Sequence, residues 1–252
     1  MTEKKYNIGL VSVSFRDRSP EEILKAMAAA GLTHIEWGSD VHAPFDNVEN
    51  LHKLHDLCEE YGIVCSSYGT YFRFGKTPLS ELEGYISAAK ILGTDILRLW
   101  CGSKSRENMS EDEVQEFISE CKTAAEIAER HGVTLCMECH RKTFTEKCED
   151  AVYLMNEVNS KNFRMYWQPF QWQTAEENVI NAGMIAPYSE HIHVFNWKGE
   201  AKLPLGDAVG EWQEYLEAFS TPRTLLLEFM PNGTLDELET ETLALKKIIG
   251  NN

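Results

Sequence analysis

The chain is 252 residues long, 43% hydrophobic and 25% charged, the proportions of an ordinary globular protein with enough apolar material for a large core. Lys and Arg number 24 against 40 Asp and Glu; the formal net charge of −16 repels phosphodiester backbones and argues against nucleic acid as a partner, and no basic cluster offsets it. Apolar runs are only strand-sized, so no membrane span is expected, and the opening MTEKKYNIGL runs from charge straight into a strand-like stretch without a signal peptide, which predicts a cytoplasmic protein.

Apolar strand-like runs alternate with amphipathic stretches throughout. The first strand is expected at Ile8 to Val13, followed by a helix that starts with Ser19 as N-cap, Pro20 at N1 and Glu21 and Glu22 in its first turn, and ends at Gly31. THIEW (33–37) reads as the second strand, Val48 to Tyr61 as a helix stopped by Gly62, and IVCSSY (63–68) as the third strand. A helix over 79–92 stopped by Gly93 precedes DILRLW (95–100), and the longest helix, 110–131, has an SEDE start and a Gly132 stop. It leads into VTLCMECH (133–140). Then come a helix near 149–158, strand FRMYW (163–167), a helix near 175–182, strand HIHVF (191–195), a helix near 212–219, strand TLLLEF (224–229) and a last helix over 235–249. Eight strands in strict alternation with eight helices imply a parallel sheet with helices outside, and eight units imply closure into a single-domain (β/α)8 TIM barrel of the α/β class spanning 1–252. An open doubly wound sheet is the alternative, disfavoured because no GxGxxG follows the first strand.

The seven cysteines (58, 65, 101, 121, 136, 139 and 148) are odd in number and sit within apolar patterns, which predicts reduced, mostly buried thiols. Cys136 and Cys139 form a CxxC, but within and at the end of a strand rather than at a helix start, so a redox role is the lesser reading.

In a parallel barrel, polar residues at the C-terminal strand ends converge on one face. Here they are Ser14 with Arg16, Glu36 with Trp37, Tyr68, Arg98 with Trp100, Glu138 with His140, Gln168 with Gln171, His193 with Asn196, and Glu228. Each alone has a structural explanation: a solvated carboxylate, a Glu36–Arg pair, a satisfied core histidine. Together, Glu138, His193 and Glu228, with Gln168 as a fourth oxygen, make a mixed N/O shell that suits Mn, Mg, Co or Zn as a divalent ion. Two carboxylates in one site also allow proton exchange with a substrate carbon while an ion polarises the neighbouring oxygen. Substrate contacts are expected from Arg16, Tyr68, Arg98, Trp100, His140, Gln171 and Asn196, with Arg16, Arg98, Lys198 and Lys202 as the cations available to an anionic substrate. Trp37, Trp100, Trp167 and Trp172 are expected in the core or the pocket wall.

The stretches from Gly9 to Arg16, GLTHIEW, ILGTDILRLW, HGVTLCMECH, HIHVFNW and LLLEF carry a resemblance to the xylose-isomerase-like TIM barrels, which include sugar phosphate isomerases and epimerases, ketose 3-epimerases, inosose dehydratases and endonuclease IV. Within that family, SFRDRSPEEILKAMAAAGLTHIEWGSDVHA and LRLWCGSKS look most like the bacterial 3-dehydroshikimate dehydratase branch, whose members use a divalent metal. The resemblance implies that Glu138, His193 and Glu228 are metal ligands. It also implies an Asp followed three residues later by a His after the sixth strand, where this chain has Gln168 and Gln171, and an Asp where it has Asn196. These neutral amides weaken the expected metal affinity and leave a pocket suited to hydroxyl groups. The multi-zinc cluster of the endonucleases is not evident.

The activity expected is therefore a metal-dependent isomerase or epimerase of a sugar, sugar phosphate or related polyol, with Glu138 and Glu228 as the proton-transferring carboxylates. The alternatives are a metal-dependent dehydratase of a hydroxylated cyclic or keto substrate and a catalytically inactive carbohydrate-binding relative. The expected partner is a small carbohydrate-like molecule; homo-oligomers are common in the family the chain resembles.

Overall fold

The computed structural model describes residues 6–220 and 223–250; the reading of residues 1–5 as part of an N-terminus without a signal peptide lies outside them. Eight parallel strands close into a barrel: β1 (Asn7–Val11), β2 (His34–Gly38), β3 (Val64–Arg73), β4 (Ile96–Trp100), β5 (Thr134–Glu138), β6 (Phe163–Trp167), β7 (Ser189–Val194) and β10 (Thr224–Leu227). Between β7 and β10 the chain makes a two-stranded hairpin, β8 (Trp197–Lys198) with β9 (Ala201–Lys202), that its short polar sequence did not announce. The helices are α1 (Pro20–Ala30), α2 (Val48–Tyr61), α3 (Leu82–Ile91), α4 (Glu111–His131), α5 (Cys148–Val158), α6 (Ala175–Ile185), α7 (Val209–Glu217) and α8 (Leu238–Ile248). Neighbouring strands follow chain order, and β1 closes the ring against β10.

The helix starts are written in the sequence. Ser19 and Ser110 each accept a hydrogen bond from the backbone of the third helical residue, and that residue's carboxylate, Glu22 or Glu113, accepts one from the backbone N–H of the cap, so two otherwise orphaned N–H groups are satisfied at each helix start. Gly31, Gly62 and Gly132 end their helices in the left-handed conformation. The main differences from expectation lie at element ends: β3 runs five residues past Tyr68, and α7 begins three residues before Trp212.

Strand periodicity separates two cores. Residues such as Leu135, Met137, Leu97, Leu99, Trp37 and Trp167 face outward into the large layer between sheet and helices. The alternate residues fill the barrel, where Val11, Val13, Cys136, Tyr166 and Leu226 form a small apolar floor. Above this floor the interior is ionic. The Arg98 guanidinium, 4% exposed, donates from Nε to Glu36 Oε1 at 2.8 Å and from Nη1 to Glu138 Oε2 at 2.9 Å. Glu36 also accepts from Ser67 Oγ at 3.0 Å. Burial disfavours every one of these charges, but Arg98 outweighs it and holds Glu36 and Glu138 below the usual carboxylate range, while the two carboxylates raise Arg98.

Gly69 is the steric condition for this arrangement. A Cβ there would lie 2.7 Å from Glu36 Oε1 and 2.8 Å from Arg98 Nη2. Gly69→Ala is therefore expected to push the pair apart and to cost roughly 1–3 kcal/mol by overpacking. Arg98→Met leaves buried carboxylates unpaired and is expected to cost more, about 3–5 kcal/mol. Urea titration followed by circular dichroism measures both, and an Arg98→Met midpoint equal to wild type would contradict the ionic layer.

Candidate active site

β5, β7 and β10 bring Glu138, His193 and Glu228 together at the C-terminal mouth of the barrel, all three buried, with one ligand atom from each lying within 4.8 Å of the others. His193 Nδ1 is 3.6 Å from Glu138 Oε1, 3.5 Å from Glu228 Oε2 and 3.1 Å from Gln168 Oε1. The Gln168 amide is turned by the Cys139 carbonyl, which accepts from its Nε2 at 2.9 Å, so the oxygen faces the cluster. Glu138 is divided in the same way: Oε2 is taken by Arg98 and Oε1 faces His193.

This donor set fits a divalent ion. Donors about 2.1 Å from a common ion lie roughly 3.0–3.4 Å from one another, close to the separations around His193 Nδ1. The ring's other nitrogen, Nε2, is buried without a hydrogen-bond partner and points toward Glu36 Oε1 at 3.7 Å. Nδ1 binds a metal only if the proton sits on Nε2, and a carboxylate on that side favours this tautomer. One imidazole nitrogen, two carboxylate oxygens and an amide oxygen are ligands for Mn, Mg, Zn or Co rather than for a thiophilic ion.

Electrostatics separate the two carboxylates. Burial opposes the His193 imidazolium, but Glu228, with Glu138 and Glu36, overrides burial and pushes it up to about 10. Among the described residues no arginine is in hydrogen-bond contact with Glu228; burial raises it, and the nearby Glu138 charge adds to burial. Glu138, next to Arg98, moves the opposite way. Environments that push two carboxyl groups apart assign them different work.

The cluster opens into a cavity of about 590 Å³ lined by Arg16, Arg98, Trp100, His140, Gln168 and Gln171 among others. Trp100 forms one wall, with the Arg73 guanidinium 4.1 Å from its ring centre and the His140 ring 4.3 Å away. His140 Nδ1 contacts the Arg141 carbonyl at 2.8 Å. Arg16 is held by Asp40 at 2.5 Å, Tyr71 Oη at 2.6 Å and the Val13 carbonyl. Phe229, also lining the cavity, has a φ of 56°, rare for an aromatic residue, and follows Glu228 directly.

Two expected substrate contacts lie elsewhere. Ser67 and Gly69 face the barrel interior, so Tyr68 between them faces out, fully buried, and its hydroxyl donates to the Ala43 carbonyl at 2.6 Å. Asn196 donates to the Pro204 carbonyl at 2.8 Å and lines a separate small cavity beside Lys198 and Glu211. The expected cations also sort differently. Arg98 is committed to Glu36 and Glu138, Lys198 pairs with Glu211, and Lys202 lies over the Trp197 and Phe229 rings.

Sequence reasoning missed Arg141, Lys142, Phe170, Trp197 and Phe229 as pocket residues, and it treated Glu36 only as a structural partner of arginine. A clue existed for Arg141 and Lys142, since loops after barrel strands line the active face. Cys136 faces the barrel floor and Cys139 the outer layer, which separates the two members of the CxxC. Among the described residues no helix is long and apolar enough to cross a membrane.

The xylose isomerase-like TIM barrel family model matches residues 24–234. A curated relative, 3-dehydroshikimate dehydratase of Bacillus anthracis, is 23% identical over 124 residues, which is 49% of this chain and 44% of that protein, so the match spans less than half of the relative's length. The crystal structure of AsbF, a probable 3-DHS dehydratase of Bacillus anthracis, superposes with a TM-score of 0.81 at 17% identity, covering 96% of this chain and 99% of that one. A xylose isomerase-like TIM barrel protein of Mycobacterium smegmatis in complex with magnesium superposes with a TM-score of 0.72 at 13% identity over 98% of each chain. Such low identities speak for the fold alone, but the family model covers most of the closed barrel: the chain belongs to the xylose isomerase-like TIM barrel family.

Proposed function

We propose that this chain is a divalent-metal-dependent enzyme that removes a proton from the carbon beside a carbonyl in a hydroxylated substrate and then expels the β-hydroxyl as water. The observation that carries this reading is the convergence of Glu138, His193 and Glu228 on one point under the pocket, with one carboxylate held ionised by Arg98 and the other raised by burial. Glu138, His193, Glu228 and the Gln168 amide oxygen would hold the ion, which would polarise the substrate carbonyl and offset charge that develops on its oxygen.

The protein's own groups divide the remaining work. Glu138, locked to Arg98, is a weak base and serves as ligand and charge anchor. Glu228 takes the α-proton, because a carboxylate with a raised affinity for protons is the stronger base, and the carboxylic acid so formed gives that proton up again, to the departing hydroxyl in dehydration or to carbon in epimerisation. His140 keeps a ring nitrogen free once Nδ1 donates to the Arg141 carbonyl; it lines the pocket against Trp100 and orients the departing hydroxyl. Trp100, Phe195 and Trp197 give the pocket flat apolar walls suited to a ring face.

Dehydration is favoured over epimerisation by the similarity, in sequence and in structure, to 3-dehydroshikimate dehydratase of Bacillus anthracis. Epimerisation is the second reading, favoured by the two carboxylates that share the site. The readings share proton removal and differ in product mass. Protein loaded with Mn²⁺ is incubated in D₂O with 3-dehydroshikimate and, separately, with a panel of ketoses, and products are weighed by mass spectrometry. Loss of one water supports the dehydratase; deuterium gain at unchanged backbone mass supports the epimerase. Glu138→Gln and Glu228→Gln are each expected to slow turnover by at least about 10²-fold, and undiminished turnover in both would overturn the mechanism. Protein that takes up none of Mn²⁺, Mg²⁺, Zn²⁺ or Co²⁺ in equilibrium dialysis would point instead to a carbohydrate-binding relative.

A further inference from the structure

We infer that Arg141 and Lys142 form an anion subsite at the mouth of the pocket, so that the substrate carries a carboxylate or phosphoryl group remote from the reacting carbon. This rests on the proposed function for the location of the chemistry, and it adds the charge class of the substrate. Both side chains line the cavity that opens over Glu138 and Glu228. Among the described residues, neither has a carboxylate partner. The other arginines near the pocket are taken: Arg16 by Asp40, Arg98 by two glutamates, and Arg73 by the Gly102 carbonyl and the Trp100 face. In a chain with a formal net charge of −16, two adjacent unpaired cations at a pocket mouth are a local exception to the overall field.

The loop that carries them is rigidly mounted. Thr143 Oγ1 donates to the His140 carbonyl at 2.7 Å, Thr145 Oγ1 donates to the Glu138 carbonyl at 2.6 Å, and Thr143, Phe144 and Thr145 are fully buried. The loop is thus bolted to the residue proposed as ligand and charge anchor. Lys142 holds a φ of 59°, a conformation that costs a non-glycine residue energy and fixes where its side chain leaves the backbone. The Arg141 guanidinium lies 3.9 Å from the centre of the Trp172 ring. Stacking uses the face of the guanidinium and leaves its in-plane N–H groups for a bidentate oxyanion. Trp172 itself is half exposed, which makes it an optical reporter of that occupancy. Besides Glu138 and Glu228, the carboxylate of Glu200 lines the cavity; it would oppose an anion, and its presence makes a neutral ligand the outcome to be excluded.

The test uses matched ligand pairs that differ only in the anion: 3,4-dihydroxybenzoate against 3,4-dihydroxybenzyl alcohol, and fructose 6-phosphate against fructose. Binding is measured by calorimetry and Trp fluorescence on Mn²⁺-loaded and on metal-free protein. The anionic member of at least one pair is expected to bind about tenfold or more tightly than its neutral partner, and the pair that responds tells carboxylate from phosphate. In the Arg141→Ala/Lys142→Ala double variant the preference is expected to fall to within about twofold, and Arg141→Lys to recover only part of it, because a lysine cannot present two parallel donors. Thermal melting checks that the variants fold. No anion preference in either pair, no binding of either anion, or a preference that survives the double substitution overturns the subsite. A preserved preference with no deuterium exchange and no dehydration leaves the subsite standing and defeats the proposed chemistry instead.

Discussion

The interior of this barrel depends on one buried guanidinium. Arg98 joins Glu36 on β2 to Glu138 on β5, spanning the barrel through the core with two hydrogen bonds of 2.8 and 2.9 Å. Removing a carboxylate from water is costly, and only a geometrically matched partner offsets the cost. The consequence reaches the site: with Oε2 occupied, Glu138 has one oxygen left and one direction in which to offer it. Glu36 has a second task, since its Oε1 also faces His193 Nε2 at 3.7 Å and thereby favours the tautomer that leaves Nδ1 for the cluster. One arginine thus orients a candidate ligand on each side of the site, directly through Glu138 and through Glu36 for His193.

Much of the architecture was legible because helix ends and strand spacing are local properties. Ser19-Pro20-Glu21-Glu22 and Ser110-Glu111-Asp112-Glu113 are complete helix-start signals, and both starts fall where those residues place them. Closure of eight βα units was legible from counting. The gathering of Glu138, His193 and Glu228 was legible too, because strand ends in a parallel barrel have no other place to go.

The misreadings come from parity and from loops. The position of Tyr68 near a strand end points to the site, but a side chain's direction follows from its register, and the register shift between Ile35 and Glu36 in the pairing of β2 with β3 is not visible in either strand alone. Ser67 and Gly69 take the inward positions, and Gly69 does so without a side chain because Arg98 fills the space. Asn196 lies beyond β7, in the turn toward a hairpin that sequence periodicity does not announce. Arg141 and Lys142 escape a reading of strand ends for a related reason: they lie beyond the apolar run, in one of the loops that build the functional face of such a barrel.

The neutral Gln168 takes on a different meaning once Arg98 and Glu36 are counted with the ligands. Those two cancel, so with His193 neutral the site carries the charges of Glu138 and Glu228 alone, and a divalent ion balances them. An aspartate at 168, as the family resemblance implies, would leave an uncompensated negative charge in a buried layer, unless a cation elsewhere balanced it. This chain keeps the oxygen and drops the charge, and it fixes the amide's orientation through the Cys139 carbonyl, on the residue next to Glu138. The cations are then placed at the mouth, on Arg141 and Lys142, rather than at the metal. In the proposed mechanism, a site that is neutral when loaded, with its positive charge at the rim, would separate the job of activating a carbonyl from the job of holding an anion, so that one substrate would satisfy both ends of the pocket.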